Sequence, residues 1–264
     1  MTEASASRTL HAALADRVAL GLGVTLLRGA QAVAAARQLG CEWLFIDMEH
    51  GAYSIAEAGE ICLGASCAGI TPFVRSRLDD LSTAARLLDN GCGGIVVPRV
   101  RSEAEARAIV HALRAPPLGA RGMGGAGLAH ARGLLASAAG RAAIDRNLLL
   151  AATIEDPEGV ANASGIAAVE GIDILLLGAS DLSFELGAEG NVGDPRIRSA
   201  AAAMAAACRD GGRLFGVGGI QAPDQVADCI AMGARLVLAG MDHALLMTGA
   251  TERVTAFRRV CARG

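Results

Sequence analysis

Two carboxylates, Glu155 and Asp181, stand where stretches of apolar chain run out. Glu155 ends the run LLLAATIE, and Asp181 lies three residues past Gly178, which closes IDILLLG. Apolar runs of this length bounded by Gly, Pro and Asp mark strands buried on both faces, as in parallel sheets. Acids at neighbouring strand ends repel each other unless a cation or a shared proton lies between them. A hard divalent ion with oxygen ligands is the common remedy. The pair is therefore a candidate metal site. Its plain alternative is helix capping, since TIEDPEG and GASDLS both have the composition of helix starts.

A second constellation sits in FIDMEH, where Asp47, Glu49 and His50 fall together. His50 follows a strand-like run, whereas His11 is near the start, His111 lies in a helical pattern, His130 in a Gly-rich segment, and His243 behind Asp242, which reads as a helix cap. An imidazole at such a strand end is either a structural hydrogen-bonder or a general base. Asp47 and Glu49 could orient it or hold metal-bound waters. Arg75, after FV, would be costly to bury alone. It needs an anion, either Asp79 as a structural partner or a substrate oxygen. All 24 basic residues are arginine. Without lysine the chain can form no Schiff base and has no Walker-type lysine. Two carboxylates holding a divalent ion, with a histidine base and an arginine, would together chelate a 2-oxo acid through its carboxylate and keto oxygens and stabilise the enolate formed on proton loss.

The elements that must position these groups follow a regular rhythm. Strand-like runs are expected at 19–26, 43–48, 71–76, 94–100, 148–155, 172–178, 214–219 and 234–240, with helical patterns between them and a short helix at Thr9–Asp16. Eight alternating pairs in 264 residues match a single-domain (β/α)8 TIM barrel, with an open doubly wound sheet as the alternative. The apolar fraction of 52% supplies a large core, and a net charge of -3 leaves no footprint for nucleic acid. No apolar run approaches the about 20 residues of a membrane span, and the N-terminus has no apolar signal region, so a cytoplasmic protein is expected. The seven cysteines contain no C-x-x-C pair and read as reduced thiols.

One segment breaks the rhythm, the excursion from 116 to 147. Its literal G-x-G-x-x-G, Gly122 to Gly127, follows PPLGAR instead of a buried strand, so a dinucleotide site is rejected. A lid or rim near the site and a surface detour remain as its two readings.

The motifs FIDMEH, FVR, ARLLDNG, PPLGARGMG, TIEDPEGV and GIDILLLGASDLS, in that order, resemble the class II pyruvate aldolases of the 4-hydroxy-2-oxoheptanedioate and 2-dehydro-3-deoxyglucarate type, relatives of citrate lyase β subunits. The resemblance spans about residues 18 to 250. It implies a (β/α)8 barrel with Mg²⁺, Mn²⁺ or Co²⁺ on Glu155 and Asp181, His50 as acid/base with Asp89 as its carboxylate partner, and Arg75 on the enolate oxygen. Gly178, Ala179 and Ser180 would bind the pyruvate carboxylate at a helix N-terminus. A hexamer that swaps its last helix is implied, with Arg121 facing a neighbour's pocket. Thr153 stands where the family usually has Gln, GASDLS lacks a proline after its glycine, and GVGGI replaces a bulkier run; these changes bear on which aldehyde fits. Two other functions stay open. One is a lyase of CoA thioesters, needing Arg99 and Arg101 for nucleotide phosphates. The other is a barrel that binds a 2-oxo acid without turnover.

Overall fold

Each of the eight apolar runs forms a strand: β1 Ala19–Val24, β2 Trp43–Asp47, β3 Thr71–Arg75, β4 Gly94–Val97, β5 Leu149–Ile154, β6 Ile174–Gly178, β7 Leu214–Gly218 and β8 Ala234–Met241. All neighbours pair in parallel and β8 returns to β1, so the sheet is a barrel closed in chain order. The open-sheet alternative is excluded. The computed structural model describes Leu10, Leu14 and residues 17–124 and 134–262. Helices in this range are α1 Gly29–Gln38, α2 Ile55–Cys67, α3 Leu81–Asp89, α4 Glu103–Leu113, α5 Ala138–Asn147, α6 Pro157–Ala161, α7 Ala163–Ala168, α8 Ala179–Glu185, α9 Pro195–Gly211, α10 Pro223–Met232 and α11 Asp242–Cys261. Their starts follow from local chemistry: Ser54 and Glu57 form a reciprocal capping box before α2, and Ser102, Ser137, Asp156 and Asp194 accept backbone N–H bonds before α4, α5, α6 and α9.

Strand side chains alternate between two apolar shells, as a period of two requires. Leu44, Ile46, Val74, Ile95, Leu150 and Leu175 point outward to the helices. Trp43, Phe45, Phe73, Val96, Leu149, Ala151, Ile174 and Leu236 fill the barrel. Trp43 meets Phe73 edge-on at 5.5 Å and donates to the Ala19 carbonyl. Only glycine fits at position 21, where a Cβ would lie 2.1 Å from the indole. Leu10 and Leu14, each 1% exposed, join the inner shell, while the rest of the expected Thr9–Asp16 helix lies outside the described residues.

Closure between β8 and β1 is tied by Asp242. The sequence suggested it as a cap, yet it lies inside α11, one residue past the N-cap position. Its carboxylate accepts from the backbone N–H groups of Thr25, Leu26, Leu27 and His243 and from the Thr25 hydroxyl. It therefore caps the β1–α1 loop. Burial pushes its pKa up, but the bonds from Leu27, Leu26 and Thr25 outweigh this and leave it below the ordinary value. A lowered carboxyl contributes stability above the ordinary carboxylate range that is lost as pH falls through the folded pKa. Asp242→Asn is expected to cost about 1–3 kcal/mol at pH 7, from N–H groups left without acceptors. The gap to wild type should narrow as pH falls below the ordinary carboxylate range and the Asp242 carboxylate takes up its proton, and urea melts at neutral and acidic pH measure both effects.

Candidate active site

The inward parity of the strands carries polar residues to the C-terminal mouth. Asp47 continues Trp43 and Phe45, Arg75 continues Thr71 and Phe73, and Thr153 and Glu155 continue Leu149 and Ala151. There they line a cavity of about 650 Å³ with Arg28, His50, Asp181 and the Gly178–Ser180 segment. Chemistry at this end is the rule for barrel enzymes.

The capping alternative for the acid pair fails locally. Asp156, not Glu155, caps α6 through the Gly159 N–H at 2.8 Å, and Asp181 lies in the first turn of α8 with no capping bond. Both acids are thus available to a ligand. Glu155 is 3% exposed and accepts the Arg99 N–H at 2.9 Å. Gly178 is required beside it, because a Cβ there would lie 2.7 Å from Glu155 Oε2. Burial first, and then repulsion by Asp181, push the Glu155 carboxyl up to about 7. Arg99, held at φ 54, sits between the acids with guanidinium contacts of 3.9 Å to Glu155 and 3.8 Å to Asp181.

No group of three or more His, Cys, Asp or Glu with metal-binding geometry occurs among the described residues. The pair nevertheless fits a hard dication of the Mg²⁺ type. Such an ion is usually held by one or two carboxylates, keeping waters and taking substrate oxygens for its other positions. A buried carboxyl with a raised pKa beside a second acid is the expected metal-free signature of such a donor set.

Arg75 does not use Asp79, which pairs with Arg77. Its partner is Asp47, directly across from it in the β2–β3 register. The contact is bidentate, Nε to Oδ1 at 2.9 Å and Nη2 to Oδ2 at 2.6 Å, with Nη1 at 3.4 Å from Glu49. Burial raises the Asp47 pKa, but Arg75 outweighs it and holds the carboxyl below its usual range. Asp47 also accepts the N–H groups of Glu49 and His50, so one carboxylate aims the arginine and shapes the turn bearing the imidazole. His50 Nε2 lies 3.8 Å from Glu49 on a side chain that is 68% exposed.

The expected His50–Asp89 pair is not formed within the chain. Asp89 faces Arg121 Nη1 at 3.2 Å, and Arg121 is buried with Nε on the Leu113 carbonyl. A buried guanidinium near that acid captured it. The excursion contributes no described residue to the cavity lining, and 125–133, including Gly127, lie outside the described residues. Arg99 and Arg101 are not free for nucleotide phosphates: Arg99 serves the acid pair, and Arg101 binds Asp156 at 2.6 Å.

Arg28 is not among the residues expected at the mouth, because a first strand taken from 19 to 26 does not mark TLLRG as a strand end. Arg28 lies four residues past the true end of β1 and lines the cavity.

A closed parallel barrel with acids, an arginine and an imidazole around its C-terminal mouth defines an enzyme for small, oxygen-rich anions. Residues 26–249 match the HpcH/HpaI aldolase/citrate lyase family. The chain is 33% identical to the 4-hydroxy-4-methyl-2-oxoglutarate aldolase of Chaetomium globosum, with 97% of each covered. It is 33% identical to the hydroxypyruvate/pyruvate aldolase of Pseudomonas aeruginosa, over 84% of this chain and 82% of that one. Its fold superimposes on the HpcH/HpaI aldolase of Desulfitobacterium hafniense with a TM-score of 0.84 at 26% identity, covering 92% and 94% of the two chains. The chain belongs to the HpcH/HpaI aldolase/citrate lyase family, and it is a carbon–carbon lyase.

Proposed function

We propose that this chain is a divalent-metal-dependent class II aldolase that reversibly cleaves a 4-hydroxy-2-oxo acid to pyruvate, or a related 2-oxo acid, and an aldehyde. The observation that carries this reading is the buried Glu155 carboxyl, pushed up by burial and by the partly exposed Asp181 beside it, with both acids lining the cavity that Arg75 also lines. Glu155 and Asp181 would hold Mg²⁺, Mn²⁺ or Co²⁺, and the bound ion would supply Lewis acidity toward the keto and carboxylate oxygens. The first turn of α8, Gly178 to Ser180, receives the 2-oxo acid's carboxylate. Arg75 uses the N–H groups that Asp47 leaves free to stabilise negative charge on the enolate oxygen. In cleavage, His50 accepts the proton of the 4-hydroxyl. The C3–C4 bond breaks, its electron pair passes into the enolate, and the acceptor leaves with a new C=O. His50 then returns the proton to C3, giving the methyl of pyruvate.

Deuterium exchange into the pyruvate methyl tests this reading. Metal-loaded protein is expected to exchange, chelator to stop it, and Mn²⁺ or Mg²⁺ to restore it. His50→Ala should lose about 10²–10⁴-fold. Exchange indifferent to chelator would remove the metal, and full exchange in the variant would remove the imidazole. A metal-loaded protein that neither exchanges nor cleaves would be a binder of 2-oxo acids.

Assembly belongs to the same proposal. Helix α11 buries only Asp242 and exposes Leu245, Leu246, Met247, Val254, Phe257 and Val260. So large an uncovered apolar surface on one helix favours packing against further copies, and the hexamer is the assembly that the family resemblance implies. A monomeric mass in solution would end that reading. The seven free cysteines favour a reducing, cytoplasmic setting, and among the described residues no helix is long and apolar enough to cross a membrane.

A further inference from the structure

Among the described residues, three buried side-chain polar atoms have no hydrogen-bond partner: Arg28 Nη1, Thr153 Oγ1 and Gln225 Oε1. Arg28 and Thr153 both line the central cavity. Buried polar groups are nearly always paired, so the cavity is built for a ligand that satisfies these two. They stand at different ends of it. Thr153 is on β5, two residues before Glu155, whereas Arg28 follows β1, and in a barrel closed in chain order β1 lies opposite β5.

We propose that Arg28 is a specificity-determining residue that binds an anionic group at the end of the substrate farthest from Glu155 and Asp181, so that the preferred acceptor carries its own carboxylate. The inference rests on the aldolase reading and adds a second charged subsite to it. Three features fit Arg28 for this work. Its guanidinium stacks on the Tyr53 ring at 4.1 Å, and the Tyr53 hydroxyl donates to the Leu27 carbonyl at 2.7 Å. The loop it leaves is fastened by the Asp242 carboxylate. The nearby acids are engaged: Glu57 by the N–H and hydroxyl of Ser54, and Asp242 by its backbone donors. A restrained guanidinium without a carboxylate partner is a fork prepared for a planar oxyanion, and little freedom is lost when it binds. A neutral acceptor would leave Nη1 unpaired, which is how a polar site rejects an analogue that lacks the matching group.

The test compares 2-oxoglutarate with 2-oxopentanoate, acids of equal chain length that differ only in the distal carboxylate, as inhibitors of pyruvate methyl exchange. Wild type is expected to prefer 2-oxoglutarate by about 10- to 100-fold. Arg28→Gln should bring the ratio close to one, and Arg28→Lys should restore part of it. No preference in wild type, or an unchanged preference in Arg28→Gln, would overturn the assignment. Calorimetric binding of the same acids reads the ratio without turnover. If wild type fails to exchange yet shows the preference, the reaction is wrong and the anion subsite stands.

Discussion

Glu155→Gln is expected to lower turnover by roughly 10³-fold or more while leaving the metal-free fold at least as stable as wild type. The activity loss follows from the Lewis-acid share of the reaction, several kcal/mol, at 1.36 kcal/mol per tenfold in rate. The stability effect follows from burial and from Asp181, which together lift the Glu155 carboxyl from 4.5 to about 7. A raised carboxyl binds its proton more tightly in the fold than in the unfolded chain. Stability therefore declines as pH rises from 4.5 toward 7, reaching a deficit of about 3 kcal/mol at pH 8 by linkage. Glutamine carries no charge and escapes that deficit, while its carbonyl can still accept the Arg99 N–H. Thermal melts of chelated protein at pH 8 should place the variant at or above wild type. Saturating Mn²⁺ should stabilise wild type by about 2.7 kcal/mol at a hundredfold excess over its dissociation constant, and the variant hardly at all. A variant that keeps both turnover and the Mn²⁺ response would move the site away from this acid pair.

The barrel was legible because its strands are buried on both faces and therefore written as unbroken apolar runs, and Glu155 was legible because it ends one of them. Choices between adjacent or distant acids were not. TIEDPEG offers Glu155 and Asp156 side by side, and only the backbone path shows that Asp156 takes the cap. For Arg75 the sequence offers Asp79, four residues on, as the structural partner, with a substrate oxygen as the alternative, yet parallel register sets it beside Asp47, 28 residues back in sequence. Local spacing favours the near partner, whereas a strand fixes direction and makes the far one closer. Asp89 shows the same limit, since its partner Arg121 lies 32 residues away on the excursion. Arg28 escaped because its position depends on where β1 stops and on how Tyr53 and Asp242 hold the following loop, contacts that no local pattern encodes.

Arg75→Met is expected to damage both stability and rate, and adding Asp47→Asn should repair only the stability. The Asp47 side chain is 3% exposed and that of Arg75 14%. Removing the guanidinium strands a buried carboxylate, a change that costs about 3–5 kcal/mol. Neutralising position 47 as well removes the stranded charge, and the asparagine carbonyl can still accept the Glu49 and His50 N–H groups. The double variant should therefore recover most of the loss, giving a large favourable coupling in a double-mutant cycle of urea unfolding. Rate should behave differently. A guanidinium aimed at the developing enolate oxygen contributes about 10²–10³-fold, and no amide at position 47 can replace it. Both variants are then expected to exchange and cleave 10²–10³-fold more slowly than wild type by that measure. If the double variant recovers its rate together with its stability, Arg75 is a strut for the turn that carries His50, and the charge on the enolate must be met by the acid-bound ion and the first turn of α8 alone.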